Sequence, residues 1–315
     1  MRIAILGENS DLQVQAVSTA LGALGAEVLC LSPNCLDGSH GVAVLEGDLL
    51  VDTAAFDDVG ALWVKQLPLP FHACAGAGPP AESGDRLFEL QTQVREKLQL
   101  VLSWLCELED RGTVVVNPAR SGAHFIFKPY QLARMRRAGV PVPRTLYTTS
   151  PEAALAFRKE VGPCIVKPIA GGAYTRDFDD VEVQDTLELI RKSPVVVQER
   201  IFGEHVRVTI VGDEIVSAVV IGSPALDYRT DPDYHSNAHY DEARLSDEGK
   251  RIALAAAQAS GLTYTGIDIL RNGDRHVVLE CNTSPIYLDI ERRMGHAISQ
   301  GIAAYLVACA KQKNG

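Results

Sequence analysis

The chain has 315 residues, 46% apolar and 22% charged, and its 40 acids outnumber its 30 Lys and Arg. That composition buries a core and fills two or three packed units, and it excludes a disordered chain, a collagen or a coiled-coil rod. A net charge of −10 also excludes a protein that coats nucleic acid or an anionic membrane by its overall field, so any phosphate must be met by a few local cations.

The start, MRIAILGENSD, reads as a first strand over residues 2–6 and not as a secretory signal. A helix is expected over 11–24, stopped by Gly25, and AEVLCL is the next strand. This β-α-β opening predicts a small parallel sheet, and without a G-x-G-x-x-G turn it is not an NAD-type site. ALWVKQL (61–67) is a further strand, and residues 71–85 form a loop rich in Gly, Pro and Ala, either a binding loop or a spacer. Leu87, Leu90, Val94, Leu98, Val101, Leu105 and Leu108 then recur at spacings of three and four, one apolar stripe on a long helix. Laid on its own sheet, that stripe is core; the alternative is a dimer seam, and a homo-oligomer is expected.

TVVVNP (113–118) is a strand that closes the first domain, placed at 1–113. Ser121 is a candidate cap for a short helix, and Pro129 opens another that stops at Gly139. VPVPRTLYT is extended, SPEAALAF is a capped helix, and PCIVKPI and PVVVQERI are buried strands flanking the turn AGGAYTRDF. HVRVTIVGDEIVSAVVIG is a hairpin turning at Gly212-Asp213, and Ser246 caps a helix that ends at Gly261. TGIDILRNGDRHVVLECN is a second hairpin, and a closing helix covers 296–310. These elements define a second domain at 114–196 and a third at 197–315. No apolar run reaches the roughly eighteen residues of a membrane span. Seven cysteines without tight spacing predict free, buried thiols and a cytoplasmic location.

Chemistry gathers at strand ends of the second half. Lys128 precedes a helix, Lys167 closes the apolar strand CIV beside Gly171-Gly172, and Gln198-Glu199-Arg200-Ile201 ends another strand. Asp268, Glu280 and Asn282 lie on the last hairpin. In order and spacing these residues resemble the ATP-grasp superfamily of carboxylate–amine ligases, over roughly residues 114–310. The similarity is nearest to the ribosomal-protein glutamate ligases and the ATP-grasp ribosomal peptide maturases, through LDYRTD (226–231), TIVGDEIVSA and LDIERRMGHAIS. It implies an α/β and α+β fold, two α+β subdomains preceded by a small parallel-sheet domain. The P-loop motif G-x-x-x-x-G-K-[ST] is absent.

The resemblance implies that Lys128 and Lys167 meet nucleotide phosphates, and a lysine closing a buried strand does need an anion. Gly171, Gly172 and Ala173 match the family's glycine-rich lid. Main-chain groups at Glu199 and Ile201 match the adenine readers, with the Gln198 side chain reaching the exocyclic amine. The family's ribose-binding acid falls on His205, beside Glu204, so either Glu204 takes the hydroxyls or His205 donates to them. Arg207 matches the arginine that steadies the transferring phosphoryl group, and Arg229 and Asn237 match acceptor-side residues.

Glu280 and Asn282, two apart on a strand, share a face. An odd loop of Asn272-Gly273-Asp274, or an equivalent bulge, puts Asp268 opposite Val278 and diagonal to Glu280 on that face; an even turn puts the acids on opposite faces. Three hard oxygen donors suit magnesium, with manganese the alternative. His235 and His239, four apart, offer a weaker zinc pattern with Cys74 or Cys281.

The implied reaction is amide formation through an acyl phosphate, using ATP, a carboxylate and an amine, with a peptide among the substrates. The rival readings are a kinase of the same fold and a nucleotide-binding partner without turnover. Ile286 stands where many family members carry glycine, which alters the expected substrate mouth.

Overall fold

The computed structural model describes all residues except 34–41, 46–47, 52–53, 56–57, 68–83, 122–126, 171–173, 179–182, 224–225, 227–238 and 314–315. They form two compact units, Met1–His124 with Ile286–Leu288 and Ala297–Gly315, and Phe125–Pro285 with Asp289–His296.

The first unit opens with β1 (Arg2–Leu6), α1 (Leu12–Ala23) and β2 (Glu27–Leu31). The Asp11 carboxylate accepts from the amides of Gln13 at 2.7 Å and Val14 at 3.3 Å, which satisfies N–H groups that a helix start leaves unpaired. Three short strands follow, β3 (Val42–Leu45), β4 (Asp48–Val51) and β5 (Ala54–Ala55), paired as a small antiparallel sheet. Sequence periodicity missed them because so few residues do not establish an alternation. Then come β6 (Ala61–Val64), α2 (Gly84–Asp110) and β7 (Val114–Val116), and the main sheet runs β2-β1-β6-β7, all parallel. Val101, Leu102, Trp104, Leu105 and Leu108 of α2 cover Ala4, Leu6, Leu62, Val64 and Val115, so the stripe from Leu98 onward packs on its own sheet.

In the second unit α3 (Lys128–Arg137) begins with Pro129 in its first turn, followed by β8 (Thr145–Thr148) and α4 (Pro151–Val161), capped by Ser150. Next are β9 (Cys164–Pro168), β10 (Arg176–Asp177), α5 (Val183–Lys192) and β11 (Val195–Glu199). Their antiparallel sheet has the order β10-β9-β11-β8. Cys164, Val166 and Val197 face α4 and α5 in one apolar cluster, so the alternate residues Ile165, Lys167 and Gln198 face the other way.

The second sheet is built from β12 (Glu204–Val211), β13 (Glu214–Gly222), β14 (His239–Glu242), β15 (Tyr264–Asn272) and β16 (Arg275–Asn282), in the order β14-β13-β12-β15-β16. Between β14 and β15 runs α6 (Asp247–Ser260), which packs against β15 and β16 and beside α3. Gln131 of α3 makes two bonds to the Cys281 backbone, accepting from its N–H at 3.0 Å and donating to its carbonyl at 2.9 Å. Finally α7 (Leu288–Met294) leads to α8 (Ile298–Lys313), which lies on β1 and β6 of the first sheet and against α1. The chain's last helix thus completes the first unit, whereas sequence order had grouped it with the hairpins before it. The observed class is the expected one, α/β in the first unit and α+β in the second.

Candidate active site

Cross-strand register lines up the chemistry of the second unit. Arg207 on β12 lies opposite Asp268 on β15, and Asp268 lies opposite Glu280 on β16. Residues directly opposite one another in an antiparallel pair share a face, so these three form one transverse row. Two residues along each strand, Thr209, Gly266 and Asn282 form the next row on that face.

Of the two devices expected, an odd loop or an equivalent bulge, the hairpin uses the bulge. β15 ends at Asn272 and β16 starts at Arg275, so the turn is the two-residue Gly273-Asp274, which alone would set Asp268 and Glu280 on opposite faces. The register shifts between Asp268 and Ile269, whose partners are Glu280 and Val278, and the skipped Leu279 is the bulged residue. The bulge restores the shared face and places Asp268 directly opposite Glu280, closer than the diagonal that an odd loop gives.

Short polar contacts tie the row together. Lys128 Nζ donates to Glu280 Oε2 at 2.8 Å, Arg207 Nε to Asp268 Oδ1 at 2.6 Å, and Asn282 Nδ2 to Asp268 Oδ2 at 3.0 Å. Gly266 makes room for this packing: a Cβ there would sit 2.6 Å from Pro285 Cβ and 3.2 Å from Arg207 Nη1. Burial pushes the Asp268 carboxyl above its ordinary pKa; Arg207 opposes this, and the neighbouring Glu280 charge adds to it. Burial acts on Glu280 in the same sense, but Lys128 and then Lys167 outweigh it and hold the carboxyl below its ordinary value. Two adjacent acids are thereby driven apart in acidity: at Asp268 burial outweighs Arg207, and at Glu280 two ammonium groups outweigh burial. Behind the row, burial pushes the Cys281 thiol up to about 12, the inert buried thiol the sequence predicts.

Beside the row lies a cleft of about 280 Å³ between the two sheets, lined by Lys167, Gln198, Glu199, Ile201, His205 and Leu270 among others. Gln198 is nearly fully buried and its Nε2 donates to Thr145 Oγ1 at 2.8 Å, a partner that nothing in the sequence singled out. The two ribose candidates separate cleanly. Consecutive strand residues point to opposite faces, so His205 faces the cleft, while the Glu204 carboxylate accepts from Arg271 at 2.9 and 3.0 Å on the other side.

Gly171, Gly172, Ala173, Arg229, Asn237 and His235 lie outside the described residues. His239 is described and sits 3.3 Å from Asp241 on the edge strand. Among the described residues no three His, Cys, Asp or Glu side chains gather as a metal cluster. The donor set is the two carboxylates of the row and the Asn282 amide beside it, hard oxygen ligands that fit magnesium and do not favour zinc.

Residues 127–306, more than half of the chain, match the RimK-like ATP-grasp domain. The chain belongs to the RimK-like ATP-grasp family. Among solved structures of the superfamily, the ATP-grasp ligase PsnB complexed with minimal precursor, Mg and ADP is 33% identical, with a TM-score of 0.84 over 98% of this chain and 97% of that one. The macrocyclase MdnC of Microcystis aeruginosa, bound with its precursor peptide MdnA, shares the fold at 21% identity and a TM-score of 0.79, covering 98% of this chain and 99% of its own. A curated relative named probable alpha-L-glutamate ligase 2, from Shewanella amazonensis, is 28% identical over 222 residues, 66% of this chain and 72% of the relative. The ATP-grasp chain described here is thus related both to peptide-associated ligases and to RimK-like enzymes. None of the helices described in it is long and apolar enough to cross a membrane.

Proposed function

We propose that this protein is an ATP- and magnesium-dependent ligase that joins a peptide carboxylate to an amine through an acyl phosphate. The observation that carries the reading is the single row Arg207–Asp268–Glu280 with Asn282 beside it and the Lys128 and Lys167 charges converging on Glu280. A peptide substrate is favoured over free glutamate because PsnB, a ligase complexed with precursor in its solved structures, resembles the chain over 98% of its length, while the glutamate-ligase relative matches 66%.

Each residue has a job on this reading. Lys128 and Lys167 are point charges for the phosphates, and Gln198 with the Glu199 and Ile201 main chain meets the adenine at the cleft. His205, the member of its pair that faces the cleft, serves the ribose, and Glu204 does not. Asp268, Glu280 and Asn282 would hold magnesium, which supplies charge neutralisation across the phosphate oxygens. Arg207, largely buried and held by Asp268, meets the transferring phosphoryl group with a guanidinium already fixed in place. Arg229 and Asn237 bind the acceptor, with Gly171 and Gly172 closing over the phosphates. No side-chain nucleophile is needed: the substrate carboxylate attacks the γ-phosphate, and the amine then displaces phosphate. The protein would act as a homo-oligomer, in the cytoplasm.

The test incubates the full chain with ATP, magnesium chloride and a pool of synthetic peptides carrying Glu or Asp carboxylates and Lys amines. The expected result is ADP release with loss of one water from a peptide, and hydroxamate formation when hydroxylamine is added. Phosphate retained on a peptide hydroxyl would instead indicate a kinase, and no ADP with any peptide would overturn the reading.

A further inference from the structure

A second polar chain occupies the same face of the five-stranded sheet, away from the acids. His296, in the segment after α7, has its Nδ1 2.7 Å from Ser217 Oγ and its Nε2 2.6 Å from Glu242 Oε1. A carboxylate only accepts, so Nε2 carries the proton given to Glu242. In the neutral ring Nδ1 is then a lone pair, and the Ser217 hydroxyl donates to it. The order hydroxyl, imidazole, carboxylate is that of a base held in one tautomer by an acid behind it. Ser217 is 5% exposed and the His296 side chain 14%, so the hydroxyl and ring are held in a mostly dry setting while Glu242 reaches solvent.

Register places this chain relative to the phosphate row. Along β12, residues His205, Arg207 and Thr209 point to one face in steps of two, each step about 7 Å. His205 lies in the nucleotide cleft and Arg207 in the row with the acids. Ser217 is directly opposite Thr209, and Glu242 opposite Val219, itself opposite Arg207. The Ser217 hydroxyl therefore lies on the strand next to Arg207 and one step past it, on the side away from His205.

We propose that Ser217, His296 and Glu242 form a proton relay for the amine-transfer step, a role that rests on the ligase reading. As the amine, entering in its neutral form, bonds to the acyl carbon and the carbon–oxygen bond to phosphate breaks, the nitrogen loses its one excess proton to Ser217 Oγ. Ser217 passes its own proton to His296 Nδ1, and the resulting imidazolium is held by Glu242 until it releases the proton to departing phosphate or water. Charge and protons balance without any other reactant, and Ser217 makes no covalent bond.

The experiment uses the same peptide pool and compares wild type with His296→Gln, Ser217→Ala and Ser217→Thr, each checked for melting temperature and for ADP binding. Peptide amide formation is expected to fall about a hundred-fold or more in His296→Gln and Ser217→Ala, the range of a lost general base. Ser217→Thr, which keeps the hydroxyl, recovers most of the rate. Hydroxylamine, a strong nucleophile that is neutral near pH 7, restores ADP release and traps hydroxamate in the two impaired variants. Equal loss of amide and hydroxamate in His296→Gln, or full amide formation in Ser217→Ala, overturns the relay while leaving the ligase reading in place. A wild type that makes neither product overturns the ligase reading and the relay with it.

Discussion

Glu280 is held by opposing forces: partial burial disfavours its charge, and two lysines outweigh the burial. That balance makes the site sensitive to single charges. Lys167→Ala should weaken ATP binding about ten- to a hundred-fold, or roughly 1.4–3 kcal/mol, read by titration calorimetry; an unchanged affinity would remove Lys167 from the phosphate site. Glu280→Gln keeps the shape and the acceptor for Lys128 but removes one negative charge from the donor set. Turnover should drop at least about a hundred-fold while the unfolding free energy stays within about 1 kcal/mol of wild type. Retained activity would show that the carboxylate charge is dispensable. At this scale the sequence was informative about residue types, since Asp268, Glu280, Asn282, Lys128 and Arg207 do converge. It left open which of Glu204 and His205 meets the cleft, which strand direction decides.

Elements depend on ends and close approaches. Helix α6 supports the acid-bearing hairpin from its back, and its start is fixed by Ser246 Oγ accepting from the Gly249 amide at 3.1 Å, with Asp247 and Glu248 in the positive first turn. Ser246→Ala should therefore cost about 1 kcal/mol, seen as a lower urea midpoint at unchanged slope. In the first unit, Gly60 precedes β6 where a Cβ would lie 2.5 Å from Ala310 Cβ on α8. The same helix is pinned by Lys313 Nζ donating to Thr113 Oγ1 at 2.7 Å and to the Val59 carbonyl at 3.1 Å. Gly60→Ala must push backbone and helix apart, at a cost of about 1–3 kcal/mol, and a melting temperature equal to wild type would contradict this packing. The capped helices α4 and α6 and the hairpin turn at Gly212-Asp213 were legible because capping and turn chemistry are local. The strands β3 to β5 were not, being too short to show a period.

For the whole molecule, the acidic balance and the local clustering of cations belong together. With a net charge of −10, the field of the chain repels polyanions, so on the ligase reading the attraction for phosphate falls to the local cations Lys128 and Lys167. The amino-acid sequence by itself determined most of the element types, the helix stops at Gly25, Gly139 and Gly261, and the residue types of the site, because each follows from neighbours a few positions away. Only the tertiary structure decided that α8 closes the first unit, since a helical stripe declares a buried face but not what buries it. The tertiary structure alone also showed that a bulge at Leu279, and not an odd turn, aligns the acids. Both devices put the two acids on one face, so the alternation of residue types does not distinguish them. His296 meets Ser217 and Glu242 for the same reason: its partners lie 79 and 54 positions away, beyond the reach of any local pattern.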